Sequence, residues 1–136
     1  MRRTNLCTKP TETLDALDGD PSNGWNFTNG SPMPLQPGQY VASCDVTERG
    51  SKGATVQYWD SADHPGIANH LRLGTVDDAV VGVNVMRIDP RLASDACAFS
   101  DCGCRATDFT VERADTYDLA SGGGLPSFFT AGTAPY

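Results

Sequence analysis

The alternation of apolar and polar positions is clearest over residues 36–60. Behind the turn signal Pro37-Gly38, Tyr40, Ala42, Cys44 and Val46 fall on one face of an extended chain, and Ser43, Asp45 and Thr47 on the other. A two-residue period marks a half-buried strand, because successive side chains of a strand leave opposite faces. A polar loop containing Gly50 and Gly53 follows over residues 48–53. Alternation then resumes with Ala54, Val56 and Tyr58 inward and Thr55, Gln57 and Trp59 outward. Two such runs joined by a short Gly-containing loop predict an antiparallel hairpin.

Shorter patterns extend this hairpin into sheet. Residues 4–8 predict a strand with Leu6 inward. Residues 10–24 predict a loop rich in Asp, Thr, Gly and Pro, and Trp25, beside Asn23-Gly24, a core anchor. A loop with Pro65-Gly66 over residues 61–69 leads into a strand over 70–76, with Leu71 and Leu73 inward and His70 and Arg72 outward. After the turn Asp77-Asp78, residues 79–88 place Val81, Val83 and Val85 on one face and Val80, Met86 and Ile88 on the other, the pattern of a central strand. Residues 89–103 read as a loop, and 105–113 as a strand with Thr107, Phe109 and Val111 on one face. Residues 116–124 read as a loop, and 125–129 as a last short strand. No long stretch has helical periodicity. Short strands separated by turn signals predict an all-β antiparallel sandwich, for which a jelly roll is a common solution at this length. Its core is expected to include Leu6, Trp25, Tyr40, Val56, Leu71, Val83, Phe109 and Val111.

The chain of 136 residues has room for one domain with a real core. No apolar run approaches the roughly 20 residues of a membrane-spanning helix. No secretory signal is visible behind Arg2-Arg3, which implies release by lysis or retention in the cell. The formal net charge of −7 argues against non-specific nucleic-acid binding, which needs a basic footprint. Five cysteines, an odd number, argue against a complete disulfide framework, and Cys44 on an inward face reads as a small buried residue.

Chemistry-bearing motifs are sparse. Cys97, Cys102 and Cys104 could supply thiolates, but their spacing is not that of paired zinc knuckles, and His64 and His70 lie far back in the chain. Neither histidine has a nucleophile or carboxylate at a recognisable catalytic spacing. Asp15, Asp18 and Asp20 lack the Glu that closes a calcium loop, and Gly122-Gly123-Gly124 lacks the Lys-Ser/Thr of a phosphate loop. The expectation is therefore no metal, no cofactor and no catalysis. The outward residues are more informative. Trp59 and Gln57 on one strand, with His70 and Arg72 on another, would set an indole ring beside amide, imidazole and guanidinium groups. That is a sugar-binding combination, the ring stacking on an apolar sugar face and the polar groups holding hydroxyls. The same ring would serve in a protein contact or beneath a loop.

Ordered motifs along nearly the whole chain carry a resemblance. They are Arg3-Thr4-Asn5-Leu6-Cys7-Thr8-Lys9-Pro10, Gly24-Trp25, Pro37-Gly38-Gln39-Tyr40 leading to Ser43-Cys44-Asp45-Val46, Thr107-Asp108 leading to Glu112, Thr116-Tyr117, Pro126-Ser127-Phe128-Phe129, and Gly132-Thr133-Ala134-Pro135. In this order they resemble the single-domain, carbohydrate-binding-module-like minor tail proteins of tailed phages that infect actinobacteria. The resemblance implies a galactose-binding-like jelly roll over residues 1–136, with loop-rich segments at 10–24 and 122–136. It also implies no enzymatic activity and a place in the virion tail. The family often has Asn-Pro-Ser-Phe-Glu near its start, where the Glu can help hold a structural calcium, and often ends Tyr-Phe-Asp-Gly. Here Glu12 is displaced, and Thr130-Ala131 replaces the Asp, so both changes argue against calcium.

The leading expectation is a structural component of a phage tail tip, made in the host cytoplasm and released by lysis, that acts in assembly or host adsorption. Its expected partners are other tail proteins, copies of itself with three-fold symmetry foremost, and a host cell-wall glycan, without nucleic acid or membrane insertion. A free-standing, non-catalytic carbohydrate-binding module is the alternative. An esterase or glycosidase on the same scaffold ranks last, because no acid–base pair stands out.

Overall fold

A computed structural model of the chain describes residues 2–7, 10–17, 26–27, 35–60, 71–90, 97–121 and 132–135. The strands are β1 (Arg2–Asn5), β2 (Leu14–Asp15), β3 (Asn26–Phe27), β4 (Tyr40–Arg49), β5 (Thr55–Asp60), β6 (Leu71–Asp77), β7 (Gly82–Ile88), β8 (Cys97–Cys102), β9 (Cys104–Arg113) and β10 (Gly132–Pro135), with one helix, α1 (Ala114–Ser121). Two four-stranded antiparallel sheets pack face to face, in the orders β2-β9-β4-β7 and β3-β8-β5-β6. β1 and β10 form a separate two-stranded ribbon. The protein is an all-β sandwich, as the alternation predicts.

The inward positions of residues 40–58 are where the pattern puts them: Tyr40, Ala42, Cys44, Val46, Ala54, Val56 and Tyr58 are all buried. Their two strands nevertheless do not form a hairpin. β4 pairs with β7 and β9, whereas β5 pairs with β6 and β8, so residues 50–54 cross from one sheet to the other. Alternation identifies the face that a strand buries, but two facing sheets satisfy it as well as one. The crossing is held by backbone bonds from Gly50 N to Gly103 O (2.7 Å) and from Ala79 N to Ala54 O (2.8 Å). Gly103, at φ +73, makes the tight turn between β8 and β9. A Cβ there would collide with the Gly53 carbonyl, so the close approach excludes any other residue.

The core joins the sheets through aromatic rings. Phe99 of β8 meets Tyr58 edge-on at 4.9 Å, and meets Phe109 of the facing sheet at 4.7 Å. β8 runs through the interior of its sheet, between β3 and β5, where the sequence reading had a loop. Its inward residues include Asp101 and its outward ones Ser100, both fully buried, and such polar content hid the strand. The loop expected over 116–124 is helical as far as Ser121, within α1, whose Ala114 and Tyr117 bury Val41 and half-buried Val85 on the outer face of the first sheet.

Three further expectations change. β7 is an edge strand, not a central one, and Val80 (56% exposed) and Val81 (62% exposed) project from the preceding turn. Asn84 shapes that turn, accepting from Val80 N (3.1 Å) and donating to Val80 O (2.8 Å) and Gly82 O (3.1 Å), so Asn84, Met86 and Ile88 are the buried set and Val83 is only half-buried. In β9 a bulge at Asp108 (φ 54) opposite Cys44 changes the parity: Cys104, Ala106, Phe109 and Val111 are buried, and Thr107 is not among them. Leu6 only partly packs on the core. Asn5 is buried, its amide donating to Phe109 O and accepting from Val111 N and Cys7 N, each at 3.0 Å, which ties the N-terminal segment to β9. Trp25, the Leu71 side chain and the expected strand over 125–129 lie outside the described residues.

Candidate functional site

β5 lies between β6 and β8, and its outward face is formed by Thr55, Gln57 and Trp59. In the register with β6, Gln57 stands opposite Thr75 and Trp59 opposite Arg72, with a shift between Tyr58 and Trp59. That shift leaves Leu73 without an opposite partner, so Arg72 returns to the side of the sheet that Trp59 occupies. Directly opposed residues of an antiparallel pair have Cβ atoms about 5 Å apart on one face, which makes Trp59 and Arg72 neighbours. On the β8 side, Gln57 stands opposite Ser100. The Trp59 indole donates from Nε1 to Ser100 Oγ at 2.8 Å, and this fixes the ring from beneath.

Exposure divides the predicted set. Trp59 is half-buried and Arg72 is exposed. Gln57 is buried at 6% exposure, and its Oε1 has no hydrogen-bond partner among the described residues. The outward position of Gln57 was expected to present its amide to solvent, but Gln57 lies within a covered region with Thr55, Ser100 and Cys102. His70 lies outside the described residues. The structure therefore brings Trp59 and Arg72 together and sets Gln57 below the surface. Ser100, the anchor of the indole, was missed because β8 was read as loop. No alternation marks that strand, because Cys97, Phe99 and Asp101 on one face and Ala98, Ser100 and Cys102 on the other each mix apolar with polar residues.

The ion pairs among the described residues lie elsewhere. Arg105 bridges Asp15 (3.1 Å) and Glu48 (2.8 Å), Arg49 pairs with Asp78 (2.7 Å), Arg87 with Asp118 (2.6 Å) and Arg113 with Asp115 (3.4 Å). Arg87 also lies over the Tyr117 ring, 5.6 Å from its centroid. A mainly apolar cavity of about 180 Å³ on the first sheet is lined by Gln39, Tyr40, Arg87, Ile88, Asp89 and Ala114.

Inside the sandwich lies a second polar group. Asp101 is fully buried, with the Cys104 thiol donating to Oδ2 at 3.8 Å and with Oδ1 lacking a hydrogen-bond partner among the described residues. Burial, and to a lesser degree repulsion from Asp15, push its carboxyl up to about 7 against the partial relief of the Cys104 bond. Burial and the adjacent Asp101 push the Cys104 thiol up to about 12, and burial raises Cys44 further. Burial, with Cys97 beside it, keeps the Tyr58 phenol neutral. Thiols held neutral are poor nucleophiles and poor metal ligands.

All five cysteines are buried. By strand alternation, Cys97 and Cys102 lie on opposite faces of β8, and Cys104 belongs to the other sheet. Among the described residues, no three His, Cys, Asp or Glu side chains come together as a metal-holding group. Also among the described residues, no helix is long and apolar enough to cross a membrane. Comparison with protein families, curated proteins and solved structures finds no match to this chain.

Proposed function

We propose that the chain is a non-catalytic minor tail protein of a phage infecting actinobacteria, a jelly-roll component of the tail tip that contacts a host-surface glycan through Trp59 and Arg72. The virion assignment is supported by the ordered motifs from Arg3-Thr4-Asn5-Leu6 to Gly132-Thr133-Ala134-Pro135. The observation that carries the contact is the half-buried Trp59, pinned by Ser100 and opposed by exposed Arg72 on one sheet face. A fixed ring loses little freedom when a sugar stacks on it, and a guanidinium supplies directional donors to oxygens. One shallow sugar site of this kind binds with a Kd on the order of 0.1–1 mM, and repeated copies on one particle raise the effective affinity. The reading therefore includes several copies about the tail axis, three-fold symmetry foremost. They would dock on larger tail proteins through residues 10–24 and 122–136.

The test is phage carrying Trp59→Ala. Particles should assemble, because Trp59 is only half-buried, yet adsorb poorly to host cells. Normal adsorption by assembled mutant particles would refute the glycan contact. Imaging of the intact particle that finds a single copy away from the tail would refute the tail-tip reading.

A further inference from the structure

We propose that the glycan held at Trp59 is anionic, with its acidic group bound by Arg72. The inference rests on the glycan-contact reading and specifies its ligand class. Arg49, Arg87, Arg105 and Arg113 each pair with a carboxylate, but Arg72 pairs with none among the described residues. The contrast is informative because the chain carries 17 acidic against 10 basic residues, so carboxylates are plentiful. The one outward carboxylate described on Arg72's own strand, Asp77, stands opposite Thr55 at the other end of β6 and accepts from Thr75 Oγ1 at 3.4 Å. Arg72 and Asp77 are separated by most of the strand, on the order of 16 Å at about 3.3 Å per residue.

Arg72 stands opposite Trp59 in the register, within reach of the substituents of a sugar stacked there. Arg recognises carboxylate and phosphate groups through parallel donors in a planar fork. The net charge of −7 opposes diffuse attraction of polyanions, so any anion preference has to arise locally at this residue. The Trp59 N–H donates to Ser100, so the acidic group would be held by the Arg72 fork and not by the indole donor. Carboxylate-bearing and phosphate-bearing glycans share this chemistry.

The experiment titrates the purified chain with three probes: oligogalacturonate, a glycerol-phosphate teichoic acid and neutral galacto-oligosaccharide. Binding is followed by tryptophan fluorescence and by NMR shifts of the Trp59 indole. One or both anionic probes should bind at least about tenfold more tightly than the neutral one, with the preference falling as salt rises. Arg72→Gln should abolish the preference by weakening the anionic probes at least about tenfold more than the neutral one, while Arg72→Lys should retain part of it. The arm that binds identifies a carboxylate or a phosphate ligand. Equal binding of neutral and anionic probes, unaffected by Arg72→Gln, would overturn the anionic assignment and leave the glycan contact standing. Absence of binding by all three probes, together with normal adsorption of Trp59→Ala particles, would overturn both. Arg72 is exposed, so its variants are expected to fold, and an unchanged unfolding midpoint would verify this.

Discussion

Replacing Asp101 with Asn should change how stability depends on pH more than it changes stability at any one pH. Asp101 is fully buried, and its carboxyl is displaced from the ordinary value of 3.8 to about 7, chiefly by burial. In the unfolded chain it ionises near 4, whereas in the folded protein it stays protonated until about pH 7. The folded state therefore binds the extra proton between these limits. Its contribution is fully present below about pH 4, is lost as pH rises toward 7, and is constant above that. At about 1.4 kcal/mol for each tenfold in proton affinity, the displacement from 3.8 to about 7 corresponds to roughly 4 kcal/mol at most. The neighbouring thiols do not confuse the reading, because Cys104 is pushed up to about 12 and Cys44 lies higher, so both stay neutral across the window. An Asn amide can still accept from Cys104. The NH₂ that replaces the unpartnered Oδ1 costs roughly 1–3 kcal/mol, equally at every pH. The readout is thus a slope. Urea unfolding of wild type and Asp101→Asn from pH 4 to pH 8 should show the difference moving in favour of Asn by up to about 4 kcal/mol. A difference constant to within about 0.5 kcal/mol over that range would refute the reasoning, because it would mean that Asp101 titrates alike in both states.

Other expectations concern packing and turns. Phe109→Ala removes the ring that meets Phe99 across the sheets, and should cost about 3–5 kcal/mol by chemical denaturation. Gly103→Ala forces a Cβ against the Gly53 carbonyl at φ +73, and should cost roughly 3 kcal/mol or prevent folding, as judged by soluble yield and unfolding midpoint. Asn84→Ala removes three hydrogen bonds to the turn before β7. It should cost about 2 kcal/mol and speed exchange of the Val80 amide.

The fold class was legible because burial imposes a local rule, and residues 40–58 obey it at each inward position. Strand partnership was not legible, because it depends on where the chain goes after Gly53 and alternation does not record that. β8 was hidden by its content. Ser100 and Asp101 look like loop residues, yet one anchors Trp59 and the other accepts from Cys104 in the core, so hydrogen bonding compensates for part of their burial. α1 is one short helix of eight residues, too brief for a periodic signal, and its place on the sheet follows from Tyr117 and Ala114 covering Val41.

The candidate site shows the same division between local and distant information. Trp59 and Arg72 were both marked outward by alternation on their own strands, but only the shifted register between β5 and β6 sets them opposite one another. Without the shift, Thr75, aligned with Gln57, would carry Leu73 to the outward side, and an apolar residue would lie opposite Trp59 in place of the cation. Gln57 shows the converse. Its position is outward by count, yet it is buried, as are Thr55, Ser100 and Cys102 around it. Outwardness in a strand is a property of two residues of sequence, whereas exposure is a property of the whole fold. The proposed recognition surface is consequently narrower than the outward set and consists of one ring and one guanidinium. The pair should behave accordingly: loss of the ring should weaken binding of every glycan, and loss of the cation should weaken anionic glycans most.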